Sequence, residues 1–528
     1  MKPFAAPIDD ILFSLAHVAK AGDLAGHDAG LSAEIIQQFA PFAEQVIAPL
    51  NQSGDRQGCR LENGRVRMPD GFADAYRQLC DGGWQAASAP EEFGGMGLDG
   101  MTMMGLSEIF TGANHALQMV CGLVPGAIST LVTFADKQTQ DYWIPRLASG
   151  ASLNTMCLTE AGAGSDLGRM RTKAERDGDG WLLNGEKIFI SGGDQDMSED
   201  ILHFVLARTG APDSGTRGLS LFLCPSQHDG VANNVTVARI EEKLGIHASP
   251  TCQLVFSNAR ATLIGRENEG LKAMFTLMNH ARIDVALQGI AHSARAYDIA
   301  HSYAGERSQG RDQNQAPARL NDHADVRQML DEQRALTVGG RAMCHIAMRY
   351  IEEGEDQDLV DFLTPICKIF GSEAGIRSAD LGIQVLGGYG YLEEYNMAQT
   401  WRDARITSIY EGANGIHAIA TATRGLRLND GAGADAFAAL VQDLAGGNAD
   451  LMELLDHWQG ERAKTAAQQG VPTNARDFAG LTGELFFRAV WVRLAAAAQE
   501  QGATFADEFA QLAAQITKNP PPTARFTS

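Results

Sequence analysis

The chain has 528 residues, with 43 basic against 65 acidic side chains, a formal net charge of −22, 45% hydrophobic and 20% charged residues. That length exceeds what one hydrophobic core fills, so several packed domains are expected, and the composition is that of a soluble globular protein rather than a disordered or fibrous one. The acidic balance argues against nucleic acid or an anionic lipid surface as partner, and eight scattered cysteines without CxxC spacing suggest no metal site and a reducing compartment.

Asp9 and Asp10 interrupt the apolar pattern of the first twenty residues, which therefore lacks the core of a secretion signal. No run approaches the ~20 apolar residues of a transmembrane segment, so a cytoplasmic location is expected. From Ile8 to about residue 150 apolar residues recur at three- and four-residue steps, with breaks at Pro49, Pro69 and Glu91-Glu92-Phe93-Gly94-Gly95. This reads as an N-terminal helical domain, 1–150. Residues 151–265 change to short runs such as Trp181-Leu182-Leu183, His203-Phe204-Val205-Leu206 and Leu221-Phe222-Leu223, the texture of a β domain. Asp177-Gly178-Asp179-Gly180 suits a hairpin turn between two of its strands.

Long helices return over 266–430. Ile283, Leu287, Ile290, Ala291 and Ala294 share one face, and Met329, Leu336, Met343 and Tyr350 recur every seventh residue, as in a helical bundle. Residues 308–320 read as an exposed loop. Asn429-Asp430-Gly431-Ala432-Gly433 then breaks the chain before an Ala-rich helical segment, 431–528, which ends in three prolines, Pro520 to Pro522. Its run from Leu485 to Val492 is apolar enough for a buried helix. Helices, strands and helices in that order, without internal repeats, define an α+β, mostly α fold and exclude alternating βα architecture.

Four segments carry candidate chemistry. Thr159-Glu160-Ala161-Gly162-Ala163-Gly164-Ser165-Asp166 would let backbone amides approach a ligand, but Leu167 stands where a dinucleotide fingerprint needs its third glycine, and a tight turn explains it as well. Asn184 to Gly193 reads as a strand entering a glycine turn. Alternation would put Phe189 and Ser191 on one face, suited to a planar ring and its polar edge, or they belong to an ordinary amphipathic strand. Gln384-Val385-Leu386-Gly387-Gly388-Tyr389-Gly390-Tyr391 closes a long helix. In Ile409-Tyr410-Glu411-Gly412, Glu411 lies among apolar neighbours, where desolvation would raise its pKa toward the ~6 to 7 of a general base. Glu411 could equally satisfy free amides at a helix N-terminus.

In order and spacing, these segments resemble the signatures of the acyl-CoA dehydrogenase family over about residues 30–425, with Pro90 to Gly95 as an N-terminal match. The opening Ala6-Pro7-Ile8-Asp9-Asp10 and the extra C-terminal segment resemble the large bacterial branch that includes methylthiopropionyl-CoA dehydrogenases. The resemblance implies a helical domain, a small β domain and a helical bundle. It also implies FAD as cofactor, an acyl-CoA substrate, an electron-transfer flavoprotein as electron acceptor, and a homodimer that shares its FAD sites. By the same resemblance Leu158, Thr159, Gly164 and Ser165 contact the flavin, Ser165 also lying near the thioester. Phe189 stands for the family's usual tryptophan and Ser191 for its threonine. Arg307 matches an arginine that meets the FAD pyrophosphate of the neighbouring subunit, and Gln384 and Gly388 match residues at the adenosine half.

Asn279 and Arg282 match a helix that contacts CoA and braces the active site, with Tyr410 and Gly412 beside the substrate. Glu411 matches the catalytic base. A second branch of the family carries its base just before the helix arginine, where this chain has Ala281. Met156, Ala413 and Gly415 depart from the usual pattern, so particular cofactor contacts there do not carry over. Two other readings on the same fold are a flavin monooxygenase or oxidase, which has no need of the glutamate, and a DNA-associated homologue, against which the charge of −22 argues.

Overall fold

The computed structural model describes residues 2–228, 230–311 and 315–518, with the side chains of 275–280 left out of the description. The chain forms two compact units, one made of Met1–Glu44, Asp99–Gly112 and Arg282–Ser528, the other of Gln45–Leu98 and Ala113–Ala281.

The second unit is built on a seven-stranded sheet. Its strand Asp200–Arg208 is buried along its whole length, pairing in parallel with Ser152–Cys157 and antiparallel with Leu219–Pro225. An unbroken apolar run suits a strand covered on both faces. Lys173–Asp177 and Gly180–Ser191 form the expected hairpin, with Asp177 opposite Gly180. Gly180–Ser191 also pairs along Thr251–Ile264. Trp181, Leu183, Val205, Phe222, Leu254 and Phe256 fill the core of this sheet.

Two short ladders lie where the sequence reads as helix or loop. Arg60–Glu62 pairs with Arg65–Arg67 across Asn63 and Gly64, both at positive φ. Asn-Gly adopts that backbone readily and is a strong hairpin signal, so the first domain is not wholly helical. Asp194 fixes this hairpin by accepting from the amide of Val66 at 2.7 Å and from Arg65. In the other unit, Ser308–Arg311 pairs with Pro317–Arg319 inside the expected loop.

The first unit is helical. Gly270–Glu306 (from Arg282 onward), Ala324–Glu353 and Gln357–Leu386 form its centre. Ile283, Leu287, Ile290, Leu336 and Met343 are buried, as their periodicity requires. Two of these helices meet backbone to backbone: a Cβ on Gly371 would stand 2.3 Å from the carbonyl oxygen of Ala286. Arg341 and Glu108 form a fully buried pair in this core, with Nη2 2.6 Å from Oε1. Asp10 joins it through Arg334 and Arg341, and these two cations hold its carboxyl below the usual range although burial alone would raise it.

Asn429, Asp430 and Gly431 are all left-handed, which ends the bundle where the sequence marks a break. Beyond it, Ala432–Ala445, Ala449–Ala466, Ala475–Glu500 and Ala506–Lys518 pack on the same unit. The run from Leu485 to Val492 lies inside the third of these, where Leu485, Phe486, Phe487, Val490 and Trp491 are fully buried. Phe362 of the Gln357–Leu386 helix meets Phe437 with ring centres 5.3 Å apart, Phe370 lies tilted against Phe487 at 4.8 Å, and Trp458 lies 5.2 Å from Phe437. The closing prolines lie outside the described residues. Among the described residues no single helix is long and apolar enough to cross a membrane; one bent pair, Gly100–Cys121 with Val124–Phe134, passes that test only jointly.

Candidate active site

Glu411 follows a short 3-10 turn, Arg405–Ser408, and precedes the helix Asn414–Ala422. Its own φ is +51° and that of Gly412 is +93°. A non-glycine residue is held in the left-handed region only where its surroundings over-determine it. Here the two carbonyls of the turn are both fixed. His417 Nε2 donates to the oxygen of Glu411 at 2.9 Å, and Lys368 Nζ donates to that of Gly412 at 2.8 Å. Gly412 has no room for a side chain, because a Cβ would stand 2.7 Å from His417 Nε2.

The carboxyl of Glu411 does not cap the helix that follows. The residue at the cap position is Ala413, with no side-chain hydrogen bond, and Oε2 of Glu411 is buried without a partner. Burial pushes its pKa up to about 7, with Asp284 adding to the rise and Arg282 and Lys368 opposing it. A carboxyl poised near neutrality takes up a proton readily, whereas one committed to backbone amides would not. Arg282 is itself pulled down by burial and held up chiefly by Glu411. Tyr410 spends its hydroxyl on Oε1 of Gln288. The side chain of Asn279 lies outside the description.

Lys368, His417 and Asn414 complete this cluster. Lys368 is fully buried and also donates to Asn414 Oδ1 at 2.9 Å, while Asn414 Nδ2 donates to Glu373 Oε1 at 3.0 Å. Burial lifts the pKa of Glu373, and Asn414 and then Arg476 of the C-terminal segment act against that rise. Sequence reading passes over Lys368 and His417, and gives Asn414 no role beyond its place in the segment that carries Glu411. The available signal is a lysine inside the apolar run Ile366-Cys367-Lys368-Ile369-Phe370.

In the sheet unit, the two glycine-bearing segments are clamped together. Glu160 and Ala163 exchange backbone bonds of 3.1 and 3.0 Å, closing the tight turn that the plainer reading foresaw. The amide of Ile188 donates to the carbonyl of Thr159 at 2.9 Å. Buried Lys187 donates to the carbonyl of Leu158 at 2.9 Å and to Glu160 at 3.0 Å. The Lys187 pKa is driven down to about 8 by burial. Burial would raise that of Glu160, yet Lys187 and the amides of Arg171 and Thr172 bring it below the usual value.

This clamp sets Thr159 beside a β-bulge. The pairing with Thr251–Ile264 shifts register between Cys252 and Leu254, opposite Ile190 and Lys187, and Phe189 in the bulge has φ +60°. The bulge interrupts the ladder before Ile190, while exposed Phe189, buried Ile190 and half-buried Ser191 keep the alternation expected of this stretch. A bulge re-aims a side chain, here presenting the ring of Phe189 at 61% exposure. Leu158 is buried and Thr159 and Ser191 are half-buried, whereas Ser165 is exposed. A Cβ on Gly162 or Gly164 would meet nothing within 4 Å. An open ring, open backbone and an outward hydroxyl fit a planar cofactor with polar edges, so the donor set is compatible with the flavin that the resemblance implies.

A third group belongs to the helical unit. Arg307 is exposed at the end of the Gly270–Glu306 helix, with its guanidinium 6.0 Å from the ring centre of Tyr389. Tyr389 belongs to the turn Gly387–Tyr391, in which Gly388 is exposed and open, and Gln384 is exposed on the helix leading into it. The fold thus gathers Arg307, Gln384 and Gly388 at one end of this unit.

Comparison with known proteins agrees with this layout. Family models match in three consecutive pieces: the acyl-CoA dehydrogenase N-terminal domain at residues 32–151, middle domain at 155–259 and C-terminal domain at 268–426. The 3-methylmercaptopropionyl-CoA dehydrogenase of Ruegeria pomeroyi is 38% identical, covering 88% of this chain and 84% of its own. The broad-specificity linear acyl-CoA dehydrogenase FadE5 of Mycobacterium tuberculosis is 32% identical, covering 79% of this chain and 74% of its own. Caenorhabditis elegans ACDH-11, solved in complex with C11-CoA, shares the fold with a TM-score of 0.84 at 20% identity, covering 99% of this chain and 92% of its own.

Proposed function

The chain belongs to the acyl-CoA dehydrogenase family, and from that premise we propose that it converts an acyl-CoA to the trans-2-enoyl-CoA with Glu411 as the base. It is a flavin-dependent oxidoreductase. Bound FAD supplies what side chains lack, an acceptor for the β-hydrogen and its electron pair. Glu411 takes the α-proton, and the carboxyl whose Oε2 is sealed and unpartnered is the observation that carries this reading. A backbone amide near Glu411 helps to polarise the thioester carbonyl, which makes that proton acidic enough to leave. Arg282 steadies the carboxylate before the transfer.

Leu158, Thr159, Gly164, Ser165 and Ser191 hold the flavin through backbone and hydroxyl groups, and Phe189 covers its ring. Arg307, Gln384 and Gly388 serve the pyrophosphate and adenosine end of the FAD of a second copy, which makes the working unit a homodimer. Ser165, Asn279, Arg282, Tyr410 and Gly412 line the substrate. Reoxidation falls to an electron-transfer flavoprotein. No observation favours the oxidase or DNA-associated readings, neither of which gives a raised, unpartnered Glu411 anything to do.

The names of the relatives set the substrate panel: methylthiopropionyl-CoA beside linear acyl-CoAs from short to long. Anaerobic mixing should bleach the yellow protein with at least one member. No bleaching by any acyl-CoA would dispose of the dehydrogenase reading for this chain.

A further inference from the structure

A lysine inside an apolar helix requires a reason, because an ammonium loses several kcal/mol on leaving water unless it is paired, and methionine would fill the same space without that cost. Lys368 sits in the middle of Gln357–Leu386, fully buried between Cys367 and Ile369. Its two bonds, to the carbonyl of Gly412 at 2.8 Å and Oδ1 of Asn414 at 2.9 Å, span the turn that begins at Glu411. An uncharged amine could make both. Two bonds to neutral oxygens therefore explain where the nitrogen is, but not why it should be a cation.

The charges around the turn supply the missing part. The groups acting on Glu411 are Arg282 and Asp284 from the Gly270–Glu306 helix and Lys368 from Gln357–Leu386. Asp284 is engaged by Ser107 and by Gln288 Nε2, the latter at 3.0 Å. His417, on the following helix, meets the backbone of Glu411 and Gly412 rather than the carboxyl, and burial, with Lys368 and Arg282 adding to it, holds its pKa down at about 4. Arg282 and Lys368 are thus the groups whose positive charge opposes the burial of this carboxylate. Burial drives the pKa of Lys368 down to about 7, and Glu411, ahead of Glu373, holds it up against a further fall.

We propose that Lys368 is a positioning residue with two tasks: it ties down the left-handed Glu411–Gly412 turn, and its positive charge keeps the Glu411 carboxylate ionised. This rests on Glu411 being the base. The test compares Lys368→Met, Lys368→Gln and Lys368→Arg in the purified FAD-loaded protein. Glutamine keeps an N–H donor without the charge, and arginine keeps the charge.

Flavin reduction by an acyl-CoA from the bleaching panel is followed against pH. Loss of a nearby cation raises a carboxyl pKa by roughly 1–3 units, so the acidic limb should move up by that amount in both Lys368→Met and Lys368→Gln and stay in place in Lys368→Arg. A purely structural lysine would let Lys368→Gln keep the parental limb, and that result overturns the proposal. Melting temperature at pH 7 gives a readout independent of turnover. Lys368→Met should lower it less in the Glu411→Gln background than in the parent. Equal losses in both backgrounds also overturn the proposal. Undiminished reduction in Glu411→Gln alone would instead refute the base assignment, and the melting cycle would still report on the coupling.

Discussion

The imidazole of His417 reaches back from the first turn of its helix to the backbone carbonyl of Glu411, 2.9 Å away. With a carbonyl accepting, Nε2 carries the proton, and the helix that follows the carboxylate fixes the backbone that presents it. The side chain itself is left with a buried oxygen and nothing to bond. Such an arrangement stores free energy at the site, and replacing Glu411 should release it.

Glu411→Gln should therefore keep FAD and acyl-CoA binding, lose flavin reduction, and melt at a higher temperature than the parent above pH 7. A carboxyl raised to about 7 favours folding fully below its unfolded value of 4.5 and loses that contribution as pH rises through 7. At pH 8 the relief is on the order of 2–4 kcal/mol, since each pKa unit is worth about 1.4 kcal/mol. Calorimetry and stopped-flow reduction of the same preparation check both halves. A variant that melts lower and still reduces its flavin would contradict both.

Three buried histidines act with the opposite sign. Burial holds His203 and His417 at about 4 and His345 at about 3. They are neutral in the fold, so their contribution is complete above pH 6.5 and is lost as pH falls below it, when the unfolded chain takes up the protons. Stability should drop between pH 6.5 and 4. The drop should be steeper in Glu411→Gln, because Glu411 opposes it over 4.5 to 7. Melting curves across this range that stay level in both proteins would show that these imidazoles are not sealed.

Phe189 offers a separation of binding from stability. Its ring is 61% exposed, so Phe189→Ala removes little packing and should change the melting temperature of the cofactor-free protein by less than about 0.5 kcal/mol equivalent. FAD retention should fall sharply, and Phe189→Trp should restore it. The ratio of flavin to protein absorbance after gel filtration decides the matter, and full retention in Phe189→Ala would remove the ring from the cofactor site.

The buried pair of Arg341 and Glu108 predicts a reversal between single and double variants. Arg341→Met strands a carboxylate in the core and should cost about 3–5 kcal/mol, whereas adding Glu108→Leu should recover most of that loss. Denaturant unfolding of the three proteins measures it. A double variant no more stable than Arg341→Met would mean that packing, not charge, dominates the site.

Helix periodicity and the change of texture near residue 151 made the layers legible in the sequence, because the faces of long helices repeat over many residues. What escaped was local and cooperative. Asn63-Gly64 is a plain hairpin signal, overlooked inside a helical stretch. The bulge at Phe189 leaves no trace in alternation, since one inserted residue in a strand looks like any other. Glu411 stood out beside its glycine, yet its isolation from backbone amides, and its neighbours Lys368 and His417, depend on helices distant in the chain. Arg307, Gln384 and Gly388 could be picked out one at a time, but that Arg307 faces the turn carrying Gly388 is a fact of folding alone.

The helices after residue 431 bear on how copies of this chain can associate. They seat Phe437 and Phe487 on Phe362 and Phe370, so the apolar flank of the helix that carries Lys368 is already occupied from within. No neighbouring subunit can dock on that flank without first peeling the segment away. A chain shortened at 430 would leave that apolar flank uncovered.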